Sequence, residues 1–149
     1  MKSILCLAFI FGFVFLSGTI LAQQNEVLPL VKSSIKGINI YGKTVDNQTR
    51  CQHWHSDLDV IAIKFKCCEK YYPCFSCHEE EADHKPEVWP KSEFDTKAIL
   101  CGVCGSELTI EAYQASGNTC PNCTAAFNPG CSKHYHLYFE TDTPKKSDL

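Results

Sequence analysis

Of the eleven cysteines in this 149-residue chain, all but Cys6 and Cys131 fall between Cys51 and Cys123, and histidines are threaded among them. Two pieces carry the strongest chemical signal. Cys101-Gly-Val-Cys104 and Cys120-Pro-Asn-Cys123 are CxxC pairs separated by residues 105–119, a spacer within the range of four-cysteine zinc sites. A CxxC turn suits zinc because it aims two thiolates at one ion, held tetrahedrally at about 2.3 Å. Upstream lies a second cluster: Cys51-Gln-His53, Cys67-Cys68, Cys74-Phe-Ser-Cys77-His78 and His84. Divided by four, these twelve side chains predict about three zinc ions. The rival reading is a disulfide scaffold, the usual use of many cysteines in a small secreted chain. Histidines beside the cysteines and the repeated x2 spacing count against it, since disulfides have no use for either.

Cys101, Cys104, Cys120 and Cys123 form the first set. The other eight divide less obviously. Adjacent side chains of an extended chain point opposite ways, so the expectation is that Cys67/Cys68 and Cys77/His78 are each split between two ions. One set is then Cys67, Cys74, Cys77 and His84, and the other Cys51, His53, Cys68 and His78. Cys131, His134 and His136, with His55, are candidates for an additional metal site. His134 and His136 share a face if that segment is a strand. Otherwise these histidines cap the strand or hydrogen-bond near the other sites; a labile or functional ion, or a reactive thiol at Cys131, would also use this cluster.

The elements that must position these ligands are short. Val60–Phe65 alternates as a strand, with Ile61, Ile63 and Phe65 on one face and Lys64 outward. Glu79–Asp83 suits one or two helical turns with acidic residues at the start, and these acids read as a solvated face. Ala98–Leu100 leads into the first knuckle and Leu108–Ile110 leads away, a zinc-ribbon arrangement. Gly102 and Gly105 supply conformational freedom there. His134–Phe139 alternates as a last strand. The fold class expected is a small metal-stabilised α+β domain: short antiparallel strands, zinc knuckles, one short helix and little hydrophobic core. Metal coordination then supplies much of the folding energy, on the order of 10 kcal/mol per structural zinc.

Residues 1–22 read as a targeting segment. Lys2 precedes the uncharged run Ile4–Leu16, and small residues lead to Ala22 before polar Gln23-Gln24, the pattern of a secretory signal. The alternative is an uncleaved membrane anchor, because Ile4–Ala22 is long enough to span a bilayer. A mitochondrial presequence is disfavoured, since the stretch has no arginine and is not amphipathic. The location expected is secreted, periplasmic or otherwise extracytoplasmic, with membrane contact only if residues 1–22 remain attached. Asn47-Gln-Thr49 is a glycosylation sequon of consequence only in a eukaryotic secretory lumen. Residues 23–40 read as a linker, 41–140 as the metal-binding domain and 141–149 as a flexible tail. The net charge of −3 offers no polybasic surface for nucleic acid, and nine thiolates against three Zn²⁺ make the loaded domain more acidic still.

The order Cys51-x-His53-Trp54, Cys67-Cys68, Tyr71-Tyr-x-Cys74-x2-Cys77-His78, x5-His84, CxxC, CxxC resembles the CHY-type zinc finger. The resemblance covers about residues 41–140 and implies three zinc ions held by these twelve side chains. Ile61–Cys68, Trp89-Pro90, Ile99–Gly102 and His134–Phe139 resemble stand-alone members, which are small bacterial proteins and a fungal helper of small-Tim assembly in the mitochondrial intermembrane space. That relative is implied to keep the import pathway oxidised by removing zinc from an oxidoreductase. Larger members join the module to a RING finger in ubiquitin ligases; this chain has no room for one. Trp54 stands where Tyr is usual, and the signal-like front is atypical.

The functional expectation is a zinc-binding protein without catalysis, serving as a protein-interaction or zinc-handling factor for an unknown protein partner. Sets closed by four protein atoms are structural, whereas catalytic zinc keeps a position open for water. The alternative is a thiol–disulfide redox factor acting through its CxxC cysteines, which would place a CxxC at the helix start of a βαβ unit. Iron–sulfur binding is disfavoured by the mixed histidine sets.

Overall fold

A computed structural model describes residues 33–142. The expected signal or anchor at 1–22, the linker up to residue 32 and most of the tail lie outside the described residues. Six strands form one sheet in the order β1-β2-β4-β3-β5-β6: β1 Ser33–Ile35, β2 Ile38–Ile40, β3 Ile61–Lys64, β4 Tyr71–Tyr72, β5 Lys97–Cys101 and β6 Glu107–Thr109. Neighbours run antiparallel except β2 and β4, which pair parallel through Ile40 and Tyr71. Two short α-helices accompany the sheet, α1 Phe75–Glu81 and α2 Ile110–Gln114, with 3-10 segments at Lys91–Glu93 and Pro129–Leu137.

Residues 33–40 correct the linker reading. They form a hairpin whose two-residue loop, Lys36-Gly37, has φ of 48° and 82°, the left-handed pair that a type I′ turn requires. The turn lets Ile35 and Ile40 reach a core of their own with Ala62, Tyr71 and Leu100. This small core lies behind the sheet. The larger one packs Ile61, Ile63, Phe65, Tyr72, Trp89, Ile99, Ile110, Tyr113, Phe127, Tyr138 and Phe139. The strand expected at Val60–Phe65 is therefore buried on both faces: Ile61, Ile63 and Phe65 face one core, and Ala62 faces the other. Lys64 turns outward and sets its ammonium 5.1 Å from the Tyr71 ring centroid.

The strand expected at His134–Phe139 is absent. Pro129–Leu137 is a 3-10 helix, begun by Asn128, whose side-chain oxygen accepts from the Gly130 amide at 2.8 Å, with Pro129 in the first position. Both are helix-start signals. The buried residues Tyr138 and Phe139 and the half-buried Tyr135 recur at i, i+3 and i+4, a helical spacing that outweighs the apparent alternation.

Candidate metal centres

The helix α1 is the element on which two ligand sets turn. Cys74 is its N-cap, with Sγ accepting the Cys77 amide at 3.4 Å. The helix thus begins inside the Cys74–Cys77 motif rather than after His78, where the acidic run pointed. Consecutive helical residues are turned by about 100°, so Cys77 and His78 face different groups. Cys77 joins Cys51, His53 and Cys74, whereas His78 joins Cys67, Cys68 and His84.

That grouping corrects the expected partition. Cys67 and Cys68 stand together because they do not lie in extended chain. They sit in a turn between β3 and β4, closed by the Glu69 amide donating to the Phe65 carbonyl at 2.8 Å, with Glu69 at φ 55°. The opposite-pointing rule fails there, and Cys74 goes with Cys51 and His53 instead. The two groups interleave along the sequence, which ties residues 51–84 into one unit.

The third group is Cys101, Cys104, Cys120 and Cys123. Its two knuckles share one hydrogen-bond pattern. The Cys101 and Cys120 amides donate to the Ser106 and Ala125 carbonyls, and the Gly105 and Thr124 amides donate back to the Cys101 and Cys120 carbonyls, all at 2.8–2.9 Å. The residue four places on is left-handed in each, Gly105 at φ 68° and Thr124 at φ 61°. Gly102 serves otherwise than expected. A Cβ there would lie 2.2 Å from the Gln48 carbonyl oxygen, so its role is close approach of the 45–50 loop rather than conformational freedom.

The donor atoms of each group lie within 4.8 Å of one another. A tetrahedral ion with bonds of about 2.3 Å to sulfur and about 2.05 Å to nitrogen sets edges of roughly 3.8 Å between sulfurs, 3.5 Å for mixed pairs and 3.4 Å between nitrogens. The sulfur pairs Cys51–Cys74, Cys101–Cys123 and Cys104–Cys120 stand at 3.7, 3.8 and 3.8 Å. His53 Nδ1 is 3.5 Å from Cys74 and 3.4 Å from Cys77, and His78 Nε2 is 3.3 Å from both Cys67 Sγ and His84 Nε2. These are zinc-sized edges. A disulfide would require about 2.05 Å, and the ten described cysteines are all free. Three Cys/His groups of four donors suit about three zinc ions, in sets of three cysteines and a histidine, two and two, and four cysteines.

Carboxylates orient two of the imidazoles, an arrangement that fixes the tautomer and strengthens the ligand. His53 turns Nε2 to Glu80 at 3.1 Å, and Glu80 also pairs with Lys43 at 2.8 Å. His84 is turned the other way round, with Nδ1 3.0 Å from Asp83. The solvated-face reading of Glu79–Glu81 therefore missed Glu80, and it missed Glu81, which accepts the Gly42 amide at 3.0 Å. The signal available was that Glu80 lies three residues after Cys77, on the same helix face. His78 is fully buried, stacked on Phe65 at 4.1 Å, with no partner for Nδ1. Burial first, then the charge of His84, lowers its pKa to about 4, which keeps the imidazole neutral as a ligand must be. Burial raises Cys68 to about 11 and pushes Cys101 up as well, so a nearby cation is what makes thiolates tenable there.

Cys131, His134, His136 and His55 belong to none of the groups found among the described residues. On a 3-10 helix His134 and His136 no longer share a face, as residues three apart do instead. Cys131 and His134 line a cavity of about 240 Å³ with Trp54, Ile61, Cys74 and Tyr138. The redox alternative gains no support. Cys101–Cys104 connects antiparallel strands, and Cys74–Cys77, although at a helix start, is grouped with Cys51 and His53.

The family described as CHY zinc finger matches residues 51–135. Helper of Tim protein 13 of Saccharomyces cerevisiae is 55% identical over 108 residues, which cover 70% of this chain and 93% of that protein. Helper of Tim protein 13 of Kluyveromyces lactis is 48% identical over 103 residues, 69% of this chain and 90% of the relative. An uncharacterized Schizosaccharomyces pombe protein is 44% identical over 112 residues, 75% of this chain and 96% of its own. These relatives overturn the secreted or extracytoplasmic location and its membrane-anchored alternative. Proteins that align with about seven-tenths of this chain carry the name Helper of Tim, which ties them to Tim proteins rather than to a secreted or anchored class. No helix among the described residues is long and apolar enough to cross a membrane. With twelve of its cysteines and histidines gathered in three zinc-sized groups and the family pattern running from residue 51 to 135, this chain belongs to the CHY zinc finger family.

Proposed function

We propose that the protein is a non-catalytic zinc-binding factor that works through contact with other proteins, Tim-type proteins of mitochondrial import being the partner class. The twelve grouped side chains are its ligands: Cys51, His53, Cys74 and Cys77 for one ion, Cys67, Cys68, His78 and His84 for a second, and Cys101, Cys104, Cys120 and Cys123 for the third. The observation that carries this reading is that each group supplies four donors at tetrahedral spacing. Four protein donors leave no position at which zinc could activate water. Similarity to helpers of Tim proteins supports the partner class, and zinc handling is the activity such closed but thiolate-rich sites allow.

The test is metal quantification on the purified chain, joined to cross-linking against reduced small Tim proteins with and without a chelator. Three zinc ions per chain and a zinc-dependent cross-link are expected. Fewer than two ions, or a cross-link indifferent to zinc, would sink the reading.

A further inference from the structure

The three groups are not equally closed. Of the twelve donors, His84 alone is exposed; Cys51, Cys74, Cys77, His78, Cys101 and Cys120 are buried, and the remainder are half-buried. His84 is also the ligand least held by its chain. No backbone–backbone hydrogen bond involves residues 83–88 among the described residues, between the Ala82 amide on the His78 carbonyl and the Trp89 amide on the Tyr138 carbonyl. Its orienting carboxylate belongs to its own neighbour, Asp83, which is fully exposed. Glu80, by contrast, orients His53 from a helix and is itself paired with Lys43. The four-cysteine set sits in knuckles fixed by their own backbone hydrogen bonds.

We propose that the ion held by Cys67, Cys68, His78 and His84 is the exchangeable one of the three, and that an external thiol, losing its proton on binding, captures it by replacing His84. This rests on the ligand sets given above. In the exchange the bond from zinc to His84 Nε2 breaks and a zinc–sulfur bond forms. The entering thiol's proton passes to the freed imidazole. The set moves from two cysteines and two histidines, formally neutral, to three thiolates and one imidazole, formally −1, offset by the imidazolium. Local opening of a segment with few hydrogen bonds is the low-cost motion in a fold. Here it uncovers one coordination position without disturbing Cys67, Cys68 or the buried His78.

The three sets differ in donors, so the full chain loaded with NMR-active cadmium should give three resonances, one each for four sulfurs, three sulfurs with nitrogen, and two sulfurs with two nitrogens. Glutathione is added in one arm and a reduced single-cysteine peptide in the other. The two-sulfur resonance should move towards the three-sulfur position while the others stay, and the arm that moves it identifies the thiol source. His84→Cys should start at the three-sulfur position and no longer respond. In the zinc-loaded chain, a chromogenic chelator should draw one ion ahead of two, and Asp83→Asn should speed that early phase about 10–100-fold. Movement of another resonance first, no movement with either thiol, or all three ions leaving together would overturn the proposal. Failure to see three donor classes at all would instead overturn the ligand sets.

Discussion

His53 and His78 show how little of a metal site is in the ligand's identity alone. His53 offers Nδ1 because Glu80 holds Nε2, and His78 offers Nε2 because Nδ1 is buried against apolar surroundings. Replacing Glu80 by Gln should weaken metal affinity of the set containing His53 by about 10–100-fold, read by competition with a fluorescent chelator, while the four-cysteine set keeps its affinity. Cys68→Ser should leave about two ions per chain by mass spectrometry under native conditions, the missing one being that shared with Cys67, His78 and His84. Acid acts in a known direction. The folded pKa of His78, about 4, lies below its ordinary 6.5, so the unfolded chain binds more protons between those values. Stability contributed by neutral His78 is complete above about pH 6.5 and is lost as pH falls towards 4; proton competition for the thiolates acts in the same sense. Denaturation midpoints measured across that window should fall with pH. Which residues could be ligands was legible from spacing, because CxxC and CxH patterns are local. Their partners were not, because the pairing hangs on the turn at Cys67-Cys68, and φ at Glu69 cannot be read from residue type.

Among the elements, the knuckles and β3 were readable, since CxxC spacing and β-branched runs leave local traces. The 129–137 helix was not, because its alternating His134-Tyr-His-Leu imitates a strand and only the Asn128-Pro129 start betrays it. The hairpin at 33–40 was hidden for another reason: its two strands are only three residues each, and the value of their isoleucines appears only when Ile35 and Ile40 meet Leu100 across the sheet. The close approach of the 45–50 loop to the first knuckle yields a sharp prediction. Gly102→Ala puts a methyl carbon against the backbone oxygen of Gln48, which cannot retreat as a side-chain tip could. The substitution should cost about 1–3 kcal/mol, seen as a lowered midpoint in urea with the metal content unchanged.

Across the molecule, metal and apolar packing divide the stabilisation. The aromatic core is continuous with the metal groups: Cys51, Cys74, Cys77, Cys101 and Cys120 are themselves buried among Phe65, Tyr72, Tyr113 and Phe127. Structural zinc contributes on the order of 10 kcal/mol per site, comparable with the whole net stability of an ordinary domain, about 5–15 kcal/mol. Exhaustive chelation under reducing conditions should therefore abolish the near-ultraviolet circular dichroism of the aromatic core and expose its thiols to a titrating reagent together. Retention of the native spectrum in the metal-free chain would show that the apolar core suffices alone. The helix α1, which turns Cys77 to one ion and His78 to the next, also fixes where length may vary. One residue inserted between Cys74 and His78 swings everything after it by about 100° and misdirects two coordination spheres at once. The same insertion in the span from Ser116 to Asn118, between α2 and the second knuckle, merely lengthens a surface bend. Lineages descending from this sequence should thus show gaps in the latter stretch and an unvarying count in the former.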